Sequence, residues 1–163
     1  MAPAAVAFNQ GPCLLDANEL ERVIAIDRSH TGHSRRRFFE KRFAAAKTRP
    51  DDFVQIGVMR GGALRGFAVA RLLRGEFGHK DVVAVLDAVG VELECQELGI
   101  GQVLIEELVK VLKQKGVRSL HSQAEWANHL LLHFLAASGF KLSPRLLLER
   151  SVNEPLAEAS EDL

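Results

Sequence analysis

The chain has 163 residues, 47% of them hydrophobic and 26% charged, the profile of one compact domain with enough apolar side chains for a core. Its 21 Lys and Arg balance 21 Asp and Glu, which leaves no charge excess of the kind that drives general nucleic-acid binding or adhesion to anionic lipid. No run approaches the roughly 18 apolar residues of a membrane span, residues 1–10 lack the basic-then-apolar order of a leader, and Cys13 and Cys95 are too few for a disulfide framework or a Cys-based zinc site; a soluble, unprocessed, cytoplasmic protein is expected.

In chain order, residues 5–8 are expected as a short opening strand, followed by a loop with Gly11 and Pro12 and by Asp16 as an N-cap. Residues 18–28 carry Leu20, Val23, Ile24 and Ile26 at helical spacing. Ser34 is the expected cap of a second helix that stacks Phe39 on Phe43 and stops before Pro50. Val54, Ile56 and Val58 then alternate, Gly61-Gly62 makes a two-residue hairpin turn, and residues 64–73 return as the antiparallel partner. Residues 82–91 are almost wholly apolar apart from Asp87 and read as a central strand covered on both faces.

The strongest helix signal runs over residues 101–114, with Leu104, Leu108, Val111 and Leu112 as its buried stripe and Gly116 as its stop. A strand over residues 117–123, a helix over 128–137 ended by Gly139, and a last strand over 140–150, interrupted at Pro144, complete the pattern. The order β-α-α-β-β-β-α-β-α-β predicts a single α/β (α+β) domain over residues 1–152, a mixed central sheet with helices on both faces. Residues 153–163 are acidic and rich in Ala and Ser, and are expected as a flexible tail.

Chemistry concentrates where the buried strand ends. The stretch from Val89 through Gln96 to Gly101 feeds a glycine-bearing loop directly into the strong helix. Backbone N–H groups of a first helical turn, backed by the positive end of the dipole, form an anion cradle, and glycine lets a diphosphate approach closely. A Rossmann fingerprint would need a third glycine where Leu104 stands, and the Gly-Lys-Ser/Thr of a P-loop is absent.

Gln96, Gly99 and Gly101 match the pattern Gln/Arg-x-x-Gly-x-Gly/Ala, which resembles the acyl-CoA-binding loop of the GNAT superfamily of N-acyltransferases. Asn128 opening a helix, Leu131 and Phe134 on one face, and Gly139-Phe140 closing it extend the resemblance over residues 82–150. The resemblance implies a GNAT-like sheet and transfer of an acetyl group from acetyl-CoA to an amine. It implies that Val89 and Val91 offer backbone groups to the pantetheine arm and that Gln96 with the amides of Leu98, Gly99, Ile100 and Gly101 holds the pyrophosphate. Asn128 would contact the cofactor arm, unless it is a helix cap.

Departures from the family pattern accompany it. Leu135 stands where many members have a Tyr that protonates the leaving thiolate, and the chain has no Tyr at all. Val85 and Gln123 occupy positions that are a catalytic Glu in some members. The substitutes read from the residues are Asp87, the one acid in an apolar strand, unless it is a structural hydrogen-bond acceptor paired with an Arg, and His121, which alternates with Gln123 and either lines the cleft or is a satisfied structural His. Direct attack by the amine is the expected mechanism, and a non-catalytic acyl-CoA-binding regulatory module is the alternative.

Arg35, Arg36 and Arg37 sit in the first turn of a helix, where positive charge opposes the dipole. Either they pair with Asp27 and Glu40, or they recognise an anionic group on the acceptor. His129 and His133 lack the Glu of a metal motif, so no metal is expected, and Cys95 reads as a packed residue. The expected partners are acyl-CoA and a small-molecule or protein amine, without nucleic acid or membrane, with a homodimer through the last strands as an option.

Overall fold

The computed structural model describes residues 11–153 apart from His79. Strands β1 (Pro12–Leu14), β2 (Phe53–Arg60), β3 (Ala63–Leu73), β4 (Val83–Val91) and β5 (Ser119–His121) form one sheet in the order β1-β2-β3-β4-β5. The first four run antiparallel in succession, and β5 joins β4 in parallel after a helical crossover. Gly61 and Gly62, with φ of 60° and 75°, make the left-handed turn that a two-residue hairpin requires between β2 and β3.

Helices α1 (Leu20–Thr31) and α2 (Arg36–Thr48) cover one face of the sheet, and α3 (Ile100–Gln114) and α4 (His129–Ala137) cover the other. On α3, Ile100, Leu104, Leu108 and Leu112 recur every fourth residue, and all are buried against Ile56, Ala68 and Leu86. Full burial of each such side chain contributes about 1.5–3 kcal/mol. Val23, Ile24, Ile26, Phe39 and Phe43 build the opposite core, where the Phe39 ring meets Phe67 edge to face at 5.6 Å.

Several expectations are corrected. The opening strand over residues 5–8 lies outside the described residues, while Pro12–Leu14, expected in a loop, pairs with β2. Pro12 is tolerated because β1 is the sheet edge. Asp16 caps a single 3-10 turn, accepting from the Asn18 amide at 2.7 Å, before α1 begins. Arg35 rather than Ser34 is the N-cap residue of α2 and makes no side-chain cap bond. The strand over 117–123 shrinks to Ser119–His121, so Gln123 lies beyond it. Residues 140–150 form no strand: Phe140 packs on the core, but Leu142, Leu146, Leu147 and Leu148 are 75–90% exposed. An apolar run becomes a strand only beside a partner edge, and this arm has none within the described residues.

Candidate functional site

Two irregularities in β4 shape the site. Val69 pairs with Ala88 and Ala70 with Leu86, so Asp87 is an extra residue in a β-bulge. The bulge changes the alternation: Leu86 packs in the core under α3, whereas Ala88 packs in the core under α1 and α2. In addition, β5 pairs only with Val83, Ala84 and Val85. From Leu86 to Val91 the edge of β4 facing β5 has no ladder partner among the described residues, which leaves a cleft beside Val89 and Val91.

The cleft ends on the loop before α3. Glu92 anchors this loop from inside: its carboxylate takes a short contact from Arg22 of α1 and accepts from Arg65 of β3 at 2.5 Å, and its amide donates to the Arg65 carbonyl at 2.8 Å. The hydrogen bond from Arg65, aided by Arg22, holds the Glu92 carboxyl below the usual range despite partial burial. Cys95 Sγ lies 3.7 Å from Glu92 Oε2, a packed and bonded position. Glu97 has φ of 64°, the only positive value among the described non-glycine residues, and Gly99 follows at 78° as the N-cap residue of α3.

Gly99 brings no capping side chain, and no acid occupies the first turn of α3. The amides of Ile100, Gly101 and Gln102 therefore lack helical acceptors, and the first helical bond is from Val103 to Gly99 at 3.1 Å. Gln96 and Leu98 are exposed beside them, whereas the Ile100 side chain points into the core and leaves only its amide for the site. A Cβ on Gly101 would come 2.6 Å from Phe134 Cε2, so this glycine is required by the packing of α3 on α4 as well as by any ligand. Such donors at the end of a strand cleft fit a pyrophosphate with an extended arm.

Asn128 caps α4, its Oδ1 accepting from the Leu131 amide at 3.1 Å. Leu135, at the position of the absent Tyr, is buried in the core. His121 ends β5 with Nε2 3.1 Å from Ser119 Oγ. His129 and His133 lie exposed on α4, and among the described residues no group of three or more His, Cys, Asp or Glu is gathered for a metal.

Asp87 is held by two arginines: the sequence alternative of a structural acceptor paired with an Arg anticipated such a partner but not which residues supply it. Arg71 Nε of β3 donates to Oδ1 at 3.0 Å, and Arg42 Nε of α2 lies 2.9 Å from Oδ2 at an angle outside hydrogen-bond geometry. The carboxylate is 8% exposed. One signal was available: Arg71 is the one charge in the apolar run 66–73 of β3, and Asp87 the one acid of β4. His30 of α1 was also missed; its Nε2 is 2.5 Å from the Val91 carbonyl, which brings the α1–α2 turn beside the cleft.

Of the three arginines after that turn, Arg35 clasps buried Asp27 through Nε at 2.9 Å and Nη2 at 2.5 Å. Donating these hydrogen bonds to Asp27 raises the Arg35 pKa, outweighing burial. Arg36 pairs with Glu21 at 2.6 and 2.8 Å and with Glu40 at 3.6 Å, so Glu21 replaces much of the expected role of Glu40. Arg37 is exposed and makes no ion pair among the described residues. An open cleft of about 490 Å³ between α1 and α2, lined by Glu21, Ile24, Arg28, Ser29 and Arg36 among others, shares no residue with β4 or its loop.

With this geometry in view, a profile described as the acetyltransferase (GNAT) family matches residues 18–140. The chain belongs to the GNAT acetyltransferase family. Its fold is similar to an aminoglycoside N-acetyltransferase, AAC(6')-Iy, solved in complex with CoA, at TM-score 0.71 and 18% identity over 88% of this chain and 95% of that one. It is also similar to the aminoglycoside acetyltransferase meta-AAC0020 from an uncultured soil metagenomic sample, in complex with sisomicin, at TM-score 0.69 and 14% identity over 89% of this chain and 97% of that one. A transcriptional regulator from Bacillus halodurans C-125 shares the fold at TM-score 0.74 and 15% identity, over 87% of this chain and 99% of that one. No curated protein matches the chain.

Proposed function

We propose that this protein transfers an acetyl group from acetyl-CoA to an amine by direct attack. The observation that carries the reading is the parting of β4 from β5 immediately before the uncapped N-terminus of α3. Backbone groups of Val89 and Val91 would line the pantetheine arm, while Gln96 and the amides of Leu98, Gly99, Ile100 and Gly101 would receive the pyrophosphate. Asn128 has its Oδ1 engaged in capping, which leaves Nδ2 to donate to the cofactor arm.

The amine nitrogen attacks the thioester carbonyl, the carbon–sulfur bond breaks, and the proton lost from nitrogen balances the departing thiolate as CoA thiol. Positioning supplies most of the acceleration, with a β4 amide polarising the carbonyl. Asp87 is proposed to accept the amine proton, directly or through water, because its buried Oδ2 has no hydrogen bond of its own. His121 is the second candidate. Arg37, uncommitted beside the α1–α2 turn, is the arginine best placed to meet an anionic group on the acceptor, with Arg35 and Arg36 held by their carboxylates.

The alternative, a CoA-binding regulatory module without turnover, is favoured by one observation: the Tyr position is a buried Leu135. Release of CoA thiol from acetyl-CoA across a panel of small amines, amino acids and peptide N-termini separates the readings. Turnover with any amine above the no-acceptor rate supports transfer, and tight CoA binding without turnover supports the module. Among the described residues no helix is long and apolar enough to cross a membrane, and both cysteines are unpaired thiols, which supports a cytoplasmic placement.

A further inference from the structure

The surroundings of Asp87 carry more positive charge than its carboxylate neutralises. Arg71 Nε lies 3.0 Å from Oδ1 and Arg42 Nε 2.9 Å from Oδ2, and among the described residues neither arginine pairs with a second carboxylate. Two guanidinium groups share one anion, so one positive charge is left over. The two arginine side chains are 28% and 36% exposed, and each spends Nε on Asp87, which leaves the Nη groups for a ligand. Phe38 steadies the Arg42 guanidinium from 5.1 Å. Asp87 itself is 8% exposed, and its Oδ2 has no hydrogen bond. A buried acceptor without a donor therefore lies against a guanidinium with charge to spare. All three side chains share one face of the sheet: Arg71, Val85 and His121 are direct cross-strand partners on β3, β4 and β5, Ala84 and Leu86 pack in the opposite core, and Arg42 reaches over from α2.

We propose that the acceptor is a free α-amino acid, its ammonium donating to Asp87 Oδ2 and its carboxylate held by the Nη groups of Arg42 and Arg71; this rests on the acetyl-transfer reading. The two charges of an α-amino acid flank a single carbon, which matches a carboxylate oxygen and a guanidinium in contact. A simple amine would leave the surplus guanidinium charge uncompensated, a peptide N-terminus has no carboxylate beside its nitrogen, and a polyamine would add positive charge. Arg37 lies more than a turn earlier on α2 and is left to a side-chain group of the acceptor. In the reaction the ammonium gives one proton to Asp87 and on to solvent. The neutral nitrogen attacks the thioester carbonyl, the carbon–nitrogen bond forms as the carbon–sulfur bond breaks, and a second nitrogen proton leaves with the thiolate as CoA thiol. The N-acetyl product keeps its carboxylate but has lost the charge that matched Asp87, which loosens it from the site.

The test is release of CoA thiol from acetyl-CoA by the full chain, with the standard amino acids each beside its α-carboxamide, and with spermidine as the polyamine. At least one amino acid should exceed its carboxamide in kcat/KM by about tenfold or more, although the carboxamide has the less basic amine and so more neutral nitrogen at neutral pH. Arg42→Gln and Arg71→Gln should each shrink that ratio about tenfold, with CoA affinity by calorimetry unchanged. A merely structural role would slow both acceptors alike and leave the ratio where it was, which overturns the proposal. Wild-type turnover of carboxamides or spermidine that equals or exceeds turnover of every amino acid also overturns it, while leaving acetyl transfer standing. Absence of turnover with every amine removes both readings. The wild-type comparison needs no substitution, so it decides even where a variant fails to fold.

Discussion

Arg71 on β3 donates from Nε to Asp87 Oδ1 at 3.0 Å, and so ties the extra residue of the β4 bulge to the neighbouring strand. The contact fixes a carboxylate inside an otherwise apolar strand, at the point where β4 leaves β5. Asp87→Asn is expected to lower kcat/KM by about 10²–10³-fold. Leaving two guanidinium groups facing a neutral amide should also cost stability, by about 3 kcal/mol, visible as a lower Tm. Wild-type turnover from about pH 6 to 9 in a folded Asp87→Asn protein assigns proton acceptance elsewhere.

Glu92 is the anchor of the loop, and its pH dependence has a definite sign. Arg65 and Arg22 depress its folded pKa below the unfolded value of about 4.3. Its stabilisation is therefore complete above that value and is lost as pH falls through the folded value. Glu92→Gln should reduce stability by about 1 kcal/mol at neutral pH and flatten the acid limb of a Tm–pH curve. An acid limb unchanged from wild type would remove Glu92 from this role.

Leu98 and Gly101 are expected to separate ligand binding from packing. Leu98 is 56% exposed, so Leu98→Glu should leave Tm unchanged while weakening CoA binding tenfold or more, as a negative charge meets the pyrophosphate site. For Gly101→Glu, the 2.6 Å approach of a Cβ to Phe134 predicts a loss of about 1–3 kcal/mol from overpacking, together with loss of CoA. Calorimetric titration with CoA, beside thermal melts, reads both effects.

Arg35 and Arg37 should behave oppositely. Arg35→Ala leaves Asp27, 3% exposed, without its partner and should destabilise the fold by about 3 kcal/mol or more. Arg37→Ala should leave Tm within about 0.5 kcal/mol of wild type and raise KM selectively for acceptors bearing a carboxylate or phosphate. Equal KM changes for anionic and neutral acceptors would dissociate Arg37 from the acceptor.

Truncation after Asn153 is expected to leave folding and CoA binding unchanged, because the acidic sequence beyond it offers no apolar face. A fall in Tm of more than a few degrees, equivalent to about 1 kcal/mol, would show that this segment docks.

The sequence by itself determined the helices and strands whose periodicity is local. The helical spacing of Leu104, Leu108 and Leu112, the Gly61-Gly62 turn, and the loop pattern of Gln96, Gly99 and Gly101 each depend on residues a few positions apart. Local order therefore reveals them, and the family resemblance followed from that same loop. Sequence order also offered Asp27 and Glu40 as partners for Arg35 and Arg36, but tertiary structure alone decided which distant charges meet. Glu92 finds Arg22 seventy residues away and Arg65 twenty-seven residues away, and His30 reaches the Val91 carbonyl across the sheet. The bulge at Asp87 and the early end of β5 also arise from pairing between strands. An apolar run such as residues 146–148 shows why the division falls there: hydrophobic pattern states what a segment must bury, but the partner that buries it is chosen by the whole folded surface.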